Sequence, residues 1–266
     1  MDQGYEALER LEFKLAGKAF QDVVEIIEDH QEALSGLSLC EHWQVIFQKR
    51  KHLPPINACE FLWNAITSFN FETTPLSMVL KKAILKKLSE DVKGIDPDLF
   101  SDSGLCLGQI FRELEEYSKA IEAFAPLLER YPHEPHLLVH YGNTLWQAEE
   151  TIQAKINYIK ALLIAPSEIS ALPIHDQEIS ELVNSEGPYM APIFEWLHNG
   201  MPLLEMPKIQ GENLEHIGAL EIYYLLLEVN EMKKKGDFEQ MVTVRQELKH
   251  QAPDIFSVYM EKVKSA

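Results

Sequence analysis

Cysteine is scarce in this 266-residue chain. Cys40, Cys59 and Cys106 stand far apart with no CxxC pair, which excludes a disulfide framework and a thiolate zinc site and points to reduced, buried thiols. Glycine (12) and proline (14) are too few for collagen-like or linker-like character. Basic residues are in deficit, 24 against 42 acidic ones, and the formal net charge is −18. A duplex-DNA binder draws much of its affinity from Lys and Arg on phosphates, so this balance disfavours nucleic acid as a partner. Long hydrophobic runs are missing as well. The most apolar stretch, Ala219 to Val229, contains Glu221 and Glu228 and falls well short of the roughly 20 residues a bilayer span requires. Met1-Asp2-Gln3-Gly4-Tyr5-Glu6 has neither a basic n-region nor an apolar h-region, so no secretory signal is expected and a cytoplasmic location is the expectation.

What is present is helical periodicity. Apolar residues recur at three- and four-residue spacing in Leu8, Leu11, Leu15; in Val23, Val24, Ile27; and in Leu80, Ile84, Leu88. No Asn-Gly or Asp-Gly turn joins β-branched runs. Breaks at Ser35-Gly36, Pro54-Pro55, Thr73-Thr74-Pro75, Asp96-Pro97, Pro132, Pro166, Gly187-Pro188, Gly236 and Pro253 leave segments of ordinary helix length. The fold class expected is all-α, about a dozen antiparallel helices joined by short turns.

An internal repeat sharpens this reading. A shift of 34 residues lays Gly104–Pro132 on Leu138–Pro166. Gly108 falls on Gly142, Phe111 on Leu145, Ala120 on Ala154, Phe124 on Tyr158, Leu127 on Ala161 and Pro132 on Pro166. Small residues at these places let two helices approach, large ones fill the gap to the next hairpin, and proline closes the second helix. The pattern resembles the tetratricopeptide repeat, whose L-G-x2-Y and A-x3-F signatures are matched by Leu107, Gly108, Phe111, Ala120 and Phe124, then by Tyr141, Gly142, Leu145, Ala154 and Tyr158. The family's leading Trp is replaced by Gly104 and Leu138. A degenerate copy is read around Lys235-Gly236-Asp237-Phe238, with Met241 and Arg245 in the small and aromatic places and Pro253 at its close. Gly17-Lys18-Ala19-Phe20, followed by Val23 and Ile27, suggests a weaker one.

The resemblance implies a right-handed superhelix of hairpins with a concave groove lined by the first helix of each pair. The family's groove positions correspond to Asp102, Leu105, Gln109, Arg112 and Glu113, then to His136, Val139, Asn143, Trp146 and Gln147. Trp and Arg often dominate binding energy, so Trp146 is the expected anchor, with Arg112, Gln109 and Asn143 as polar contacts. The carboxylate clamp of chaperone-binding family members needs Lys and Arg with Asn in adjacent repeats; only Asn143 matches, with Arg112 offset, so recognition of a C-terminal carboxylate is not expected. The organisation expected is degenerate hairpins over 1–97, two well-formed repeats over 98–166, an irregular proline-rich helical segment over 167–211, and a degenerate repeat with a capping helix over 212–266.

Candidate chemistry is thin. His133, Glu134, His136 and His140 lie in HEPHLLVH, but Pro135 interrupts the helix that an H-E-x-x-H zinc site needs, so surface histidines are expected and no metal. The sequence has no G-x-G-x-x-G, no P-loop and no G-x-S-x-G elbow. The expectation is therefore a non-catalytic adaptor or scaffold without a cofactor, binding another protein and favouring a basic segment through its acidic surface. Two alternatives stand beside it. Residues 42–88 carry seven basic and two acidic side chains, among them Lys49-Arg50-Lys51, Lys81-Lys82 and Lys86-Lys87, which would suit a nucleic-acid or phosphate-binding regulator working through 49–87. Less favoured is an enzyme with its site in 167–211.

Overall fold

The computed structural model describes residues 1–101, 103–207 and 209–265, and among them there are fifteen α-helices, one π-helical turn and no strand. The all-α expectation holds. The chain divides into two compact units, Met1–Pro126 and Leu127–Ala266. The division falls inside one helix, at the internal Pro126, within the stretch read from sequence as a repeat pair.

The first unit contains α1 (Asp2–Glu9), α2 (Phe13–Ile26), α3 (Gln31–Arg50), α4 (Pro55–Ser68), α5 (Pro75–Ile95), α6 (Leu107–Glu113) and most of α7 (Tyr117–Arg130). Successive helices from α1 to α5 pack on one another, and α5 also packs on α1 and α6. Their apolar stripes meet in one core holding Phe20, Trp43, Leu62, Leu80, Ile84 and Leu88. Prolines sit where the chain can use them: Pro55 and Pro75 open α4 and α5, where a missing N–H costs nothing. Cys40, Cys59 and Cys106 are all buried and unpaired, as the sequence indicates, and burial pushes the Cys40 and Cys106 thiols up to about 11.

The second unit contains α8 (Pro135–Gln147), α9 (Thr151–Ile164), α10 (Pro166–Ile169), α11 (Gln177–Ser185), α12 (Ala191–Phe194), the π-helical turn Glu195–Asn199, α13 (Leu214–Lys235), α14 (Phe238–Gln251) and α15 (Pro253–Ser265). Between α9 and α13 the chain forms short helices followed by a non-helical segment, with α10 and α12 laid on α9. Buried His216 ties the start of α13 to α9. Its Nδ1 accepts from the Glu212 N–H at 3.1 Å, which leaves Nε2 to donate to the Leu163 carbonyl at 3.0 Å.

Four hairpins close with the same turn. Leu11, Glu115, Glu149 and Gly236 all have φ between 57° and 73°, the left-handed region. In each case this residue's N–H bonds a carbonyl three residues back, and the next residue's N–H bonds one five back: Glu12 to Ala7, Glu116 to Phe111, Glu150 to Leu145 and Asp237 to Met232, at 2.9–3.0 Å. This pairing satisfies the last carbonyls of the first helix. The residue that follows the left-handed one is acidic every time and stands at the positive end of the second helix. Three of the four are non-glycine residues in a conformation that costs an L-residue roughly 1–2 kcal/mol.

The glycine contacts explain the spacing. A Cβ on Gly108 would meet the Phe124 ring at 2.6 Å, and one on Gly142 would meet Tyr158 at 2.7 Å. Gly4 stands in the same relation to Phe20, at 2.4 Å, and Ala16 repeats Ala120 and Ala154. The N-terminal hairpin therefore turns at Leu11. Gly17, read from sequence as part of a weaker copy of the repeat, lies inside α2.

Candidate functional site

The ten positions that the family resemblance assigns to a groove fall in both units, and each unit is described by itself. Asp102 lies outside the described residues. In the first unit Leu105 is buried and so is Gln109, whose Oε1 accepts from Arg112 at 3.1 Å. Glu113 takes the Lys81 ammonium at 2.8 Å and lies 3.5 Å from Arg112. Burial alone would raise the Glu113 carboxyl, but the Lys81 and Arg112 cations outweigh it and hold the group below its ordinary range. Arg112 and Glu113 keep 17% and 31% of their side-chain surface, so each offers only an edge.

In the second unit Val139 is buried, and Asn143 is 2% exposed with both its Nδ2 and its Oδ1 hydrogen-bonded. Asn143 donates to the Pro173 carbonyl at 2.9 Å and accepts from the Tyr158 hydroxyl at 2.7 Å and the His175 N–H at 3.2 Å. The segment 173–175 thus covers the place where a polar contact to a partner was expected, and Asn143 serves as a clamp within its own chain. Trp146 is half-buried, Gln147 is exposed with Nε2 3.2 Å from His175 Nδ1, and His136 is 3.3 Å from Glu168. Leu105, Gln109, Val139 and Asn143 are therefore packed inside, while Trp146 and Gln147 remain at the surface.

The basic stretch of the first unit is partly neutralised. Arg50 and Lys87 both pair with Asp91, the second at 2.8 Å, and Lys81 is held by Glu113. Lys49, Lys51, Lys82 and Lys86 are exposed and form no ion pair among the described residues.

A cluster that sequence reasoning missed lies on α9. Lys155 reaches Glu195 at 3.0 Å and Asp176 at 3.9 Å, and also pairs with Glu178. Asp176 and Glu195 are fully buried. Burial pushes the Asp176 carboxyl up, against a bond from the Ile179 N–H and the charge of Lys155. The cluster fastens α11 and the π-helical turn to α9. A lone lysine followed by carboxylates 21, 23 and 40 residues later gives no sequence signal, since only the fold brings them together. Among the described residues no group of three His, Cys, Asp or Glu side chains is placed to hold a metal ion.

No family model, no curated protein and no solved structure matches this chain.

Proposed function

We propose that this chain is a non-catalytic protein-interaction module of tetratricopeptide-like architecture, a right-handed stack of helical hairpins that holds a peptide or helix of a partner. The observation that carries the reading is the recurrence of one turn at Leu11, Glu115, Glu149 and Gly236. Three of these hairpins also set a glycine beneath an aromatic ring of the second helix. A hairpin of this kind buries only part of its surface by itself, and repeated hairpins turn the remaining helix faces into a recognition surface. On α8, Trp146 and Gln147 supply an amphipathic aromatic and an amide at that surface.

The test is affinity purification of the tagged full-length chain with mass spectrometry of what accompanies it, repeated with Trp146→Ala. Loss of a partner at unchanged thermal stability supports the α8 surface. An unchanged set of partners removes Trp146 from the reading.

A further inference from the structure

The second unit carries a groove of about 400 Å³ between α13, the foot of α14 and the non-helical segment at Ile209–Gly211. Its walls are apolar. Ile217, Leu220, Tyr224 and Leu225 come from α13, and Ile209 closes one side. Tyr224 does not fill the space, because its hydroxyl is held by the Ile209 N–H at 3.2 Å. Glu221 and Glu228 on α13 and Glu247 on α14 line the groove, and among the described residues no cation does. None of the three forms an ion pair among the described residues, although other carboxylates of this unit do. Ile217 keeps 41% of its surface exposed beside them.

We propose that this groove docks a basic amphipathic helix of a partner protein. The inference rests on the binding-module reading, in that the occupant is a protein. Charge complementarity selects the occupant: an apolar floor asks for Leu or Ile, and the three carboxylates that line the same groove ask for Lys or Arg. The spacing selects its conformation. Glu221 and Glu228 are two helical turns apart on one face, about 10.5 Å at 1.5 Å per residue. A helix laid along α13 repeats that distance with cations at i and i+7 and apolar residues between them at i+3 and i+4. In an extended strand same-face residues come at multiples of about 6.6 Å, which misses the spacing.

The experiment uses the full chain and a fluorescein-labelled helical peptide of roughly five turns, with Leu at three- and four-residue spacing and Lys at i and i+7, titrated by fluorescence anisotropy. The wild-type protein should bind it, more weakly as salt is added. The Glu221→Lys/Glu228→Lys variant should lose about tenfold in affinity. The Glu25→Lys/Glu28→Lys variant, with the same change of net charge on exposed residues of α2 and of the turn after it, should lose little. Ile217→Asp should also weaken binding, and circular dichroism checks that each variant stays folded. Equal losses in the two charge-reversal variants would show attraction to the acidic surface as a whole and overturn the proposal, as would no measurable binding by the wild type. A concentration-dependent dimer dissolved by Glu221→Lys/Glu228→Lys would give the groove to a second copy of the chain, and that too would overturn it. Failure here with Trp146-dependent capture intact leaves the binding-module reading standing, whereas loss of both removes it.

Discussion

Adding one methyl group at Gly142 sets two effects against each other. In a helix interior Gly→Ala is favourable by about 1 kcal/mol from propensity alone. At Gly142, however, the new Cβ would lie 2.7 Å from Tyr158 Cε1 and 3.0 Å from Cδ1. The ring cannot swing away freely, since Tyr158 is fully buried and its hydroxyl is held by Asn143 at 2.7 Å. Overpacking of this kind costs roughly 1–3 kcal/mol, and a strained buried hydrogen bond adds about 0.5–1.5 kcal/mol. After the gain in propensity, Gly142→Ala should destabilise by about 1–3 kcal/mol. Gly218, inside α13, has open space within 4 Å of where its methyl would stand, so Gly218→Ala should stabilise by up to about 1 kcal/mol. Calorimetry should show the two variants moving the melting temperature in opposite directions, by about 2–4 °C for each kcal/mol. Tyr158→Phe, which frees the ring from Asn143, should make Gly142→Ala cheaper in a double-mutant cycle. A Gly142→Ala protein as stable as the Gly218→Ala one would refute the close approach of α8 and α9.

Asn143→Ala should cost about 2–3 kcal/mol, because it removes three buried or half-buried hydrogen bonds, to the Tyr158 hydroxyl, the His175 N–H and the Pro173 carbonyl, and chemical denaturation measures it. Glu149→Gly and Glu115→Gly should each raise stability by up to about 1 kcal/mol, by relieving a left-handed backbone at more than glycine's entropic cost; unchanged melting would deny the turn geometry. Burial raises the Asp91 carboxyl, but the bonds and charges of Lys87 and Arg50 outweigh it and bring it below its usual value. A lowered folded-state pKa gives stability that is present above the unfolded value and lost as pH falls through the folded one. The advantage of the wild type over Asp91→Asn should therefore be complete near neutrality and shrink below about pH 4, as read from denaturation midpoints across a pH series.

The helices and two of the hairpins were legible because volume carries the message. Gly108 and Gly142 must be small where Phe124 and Tyr158 are large, and that contrast survives in a bare sequence at fixed spacing. The N-terminal hairpin obeys the same rule through Gly4, Ala16 and Phe20, yet its turn residue is Leu11 and Glu28 stands where the others have proline. The eye is drawn instead to Gly17, which merely sits in α2. The intervals of 12 and 16 residues from glycine to alanine and to the aromatic were the signal that could have found it. The candidate surface was less legible because polarity does not reveal direction. Gln109 and Asn143 look solvent-facing by type, but their amides are taken by Arg112 and by the 173–175 segment. Which segment returns to cover a helix is decided by chain topology, to which local pattern is blind.

Because the four turns are closed by main-chain atoms, their geometry does not depend on the side chains of Glu115 and Glu149, whereas the Leu11 side chain packs on the core. Glu115, Glu149 and Gly236 are exposed, whereas every native thiol is buried and unpaired. A cysteine introduced at Glu115 or Glu149 inherits the same backbone geometry and becomes the accessible sulfur in a protein whose own sulfurs are shielded from maleimide. The molecule thus comes ready for site-selective dyes, and a donor–acceptor pair on the tips of successive hairpins would serve as a ruler for how one is pitched against the next.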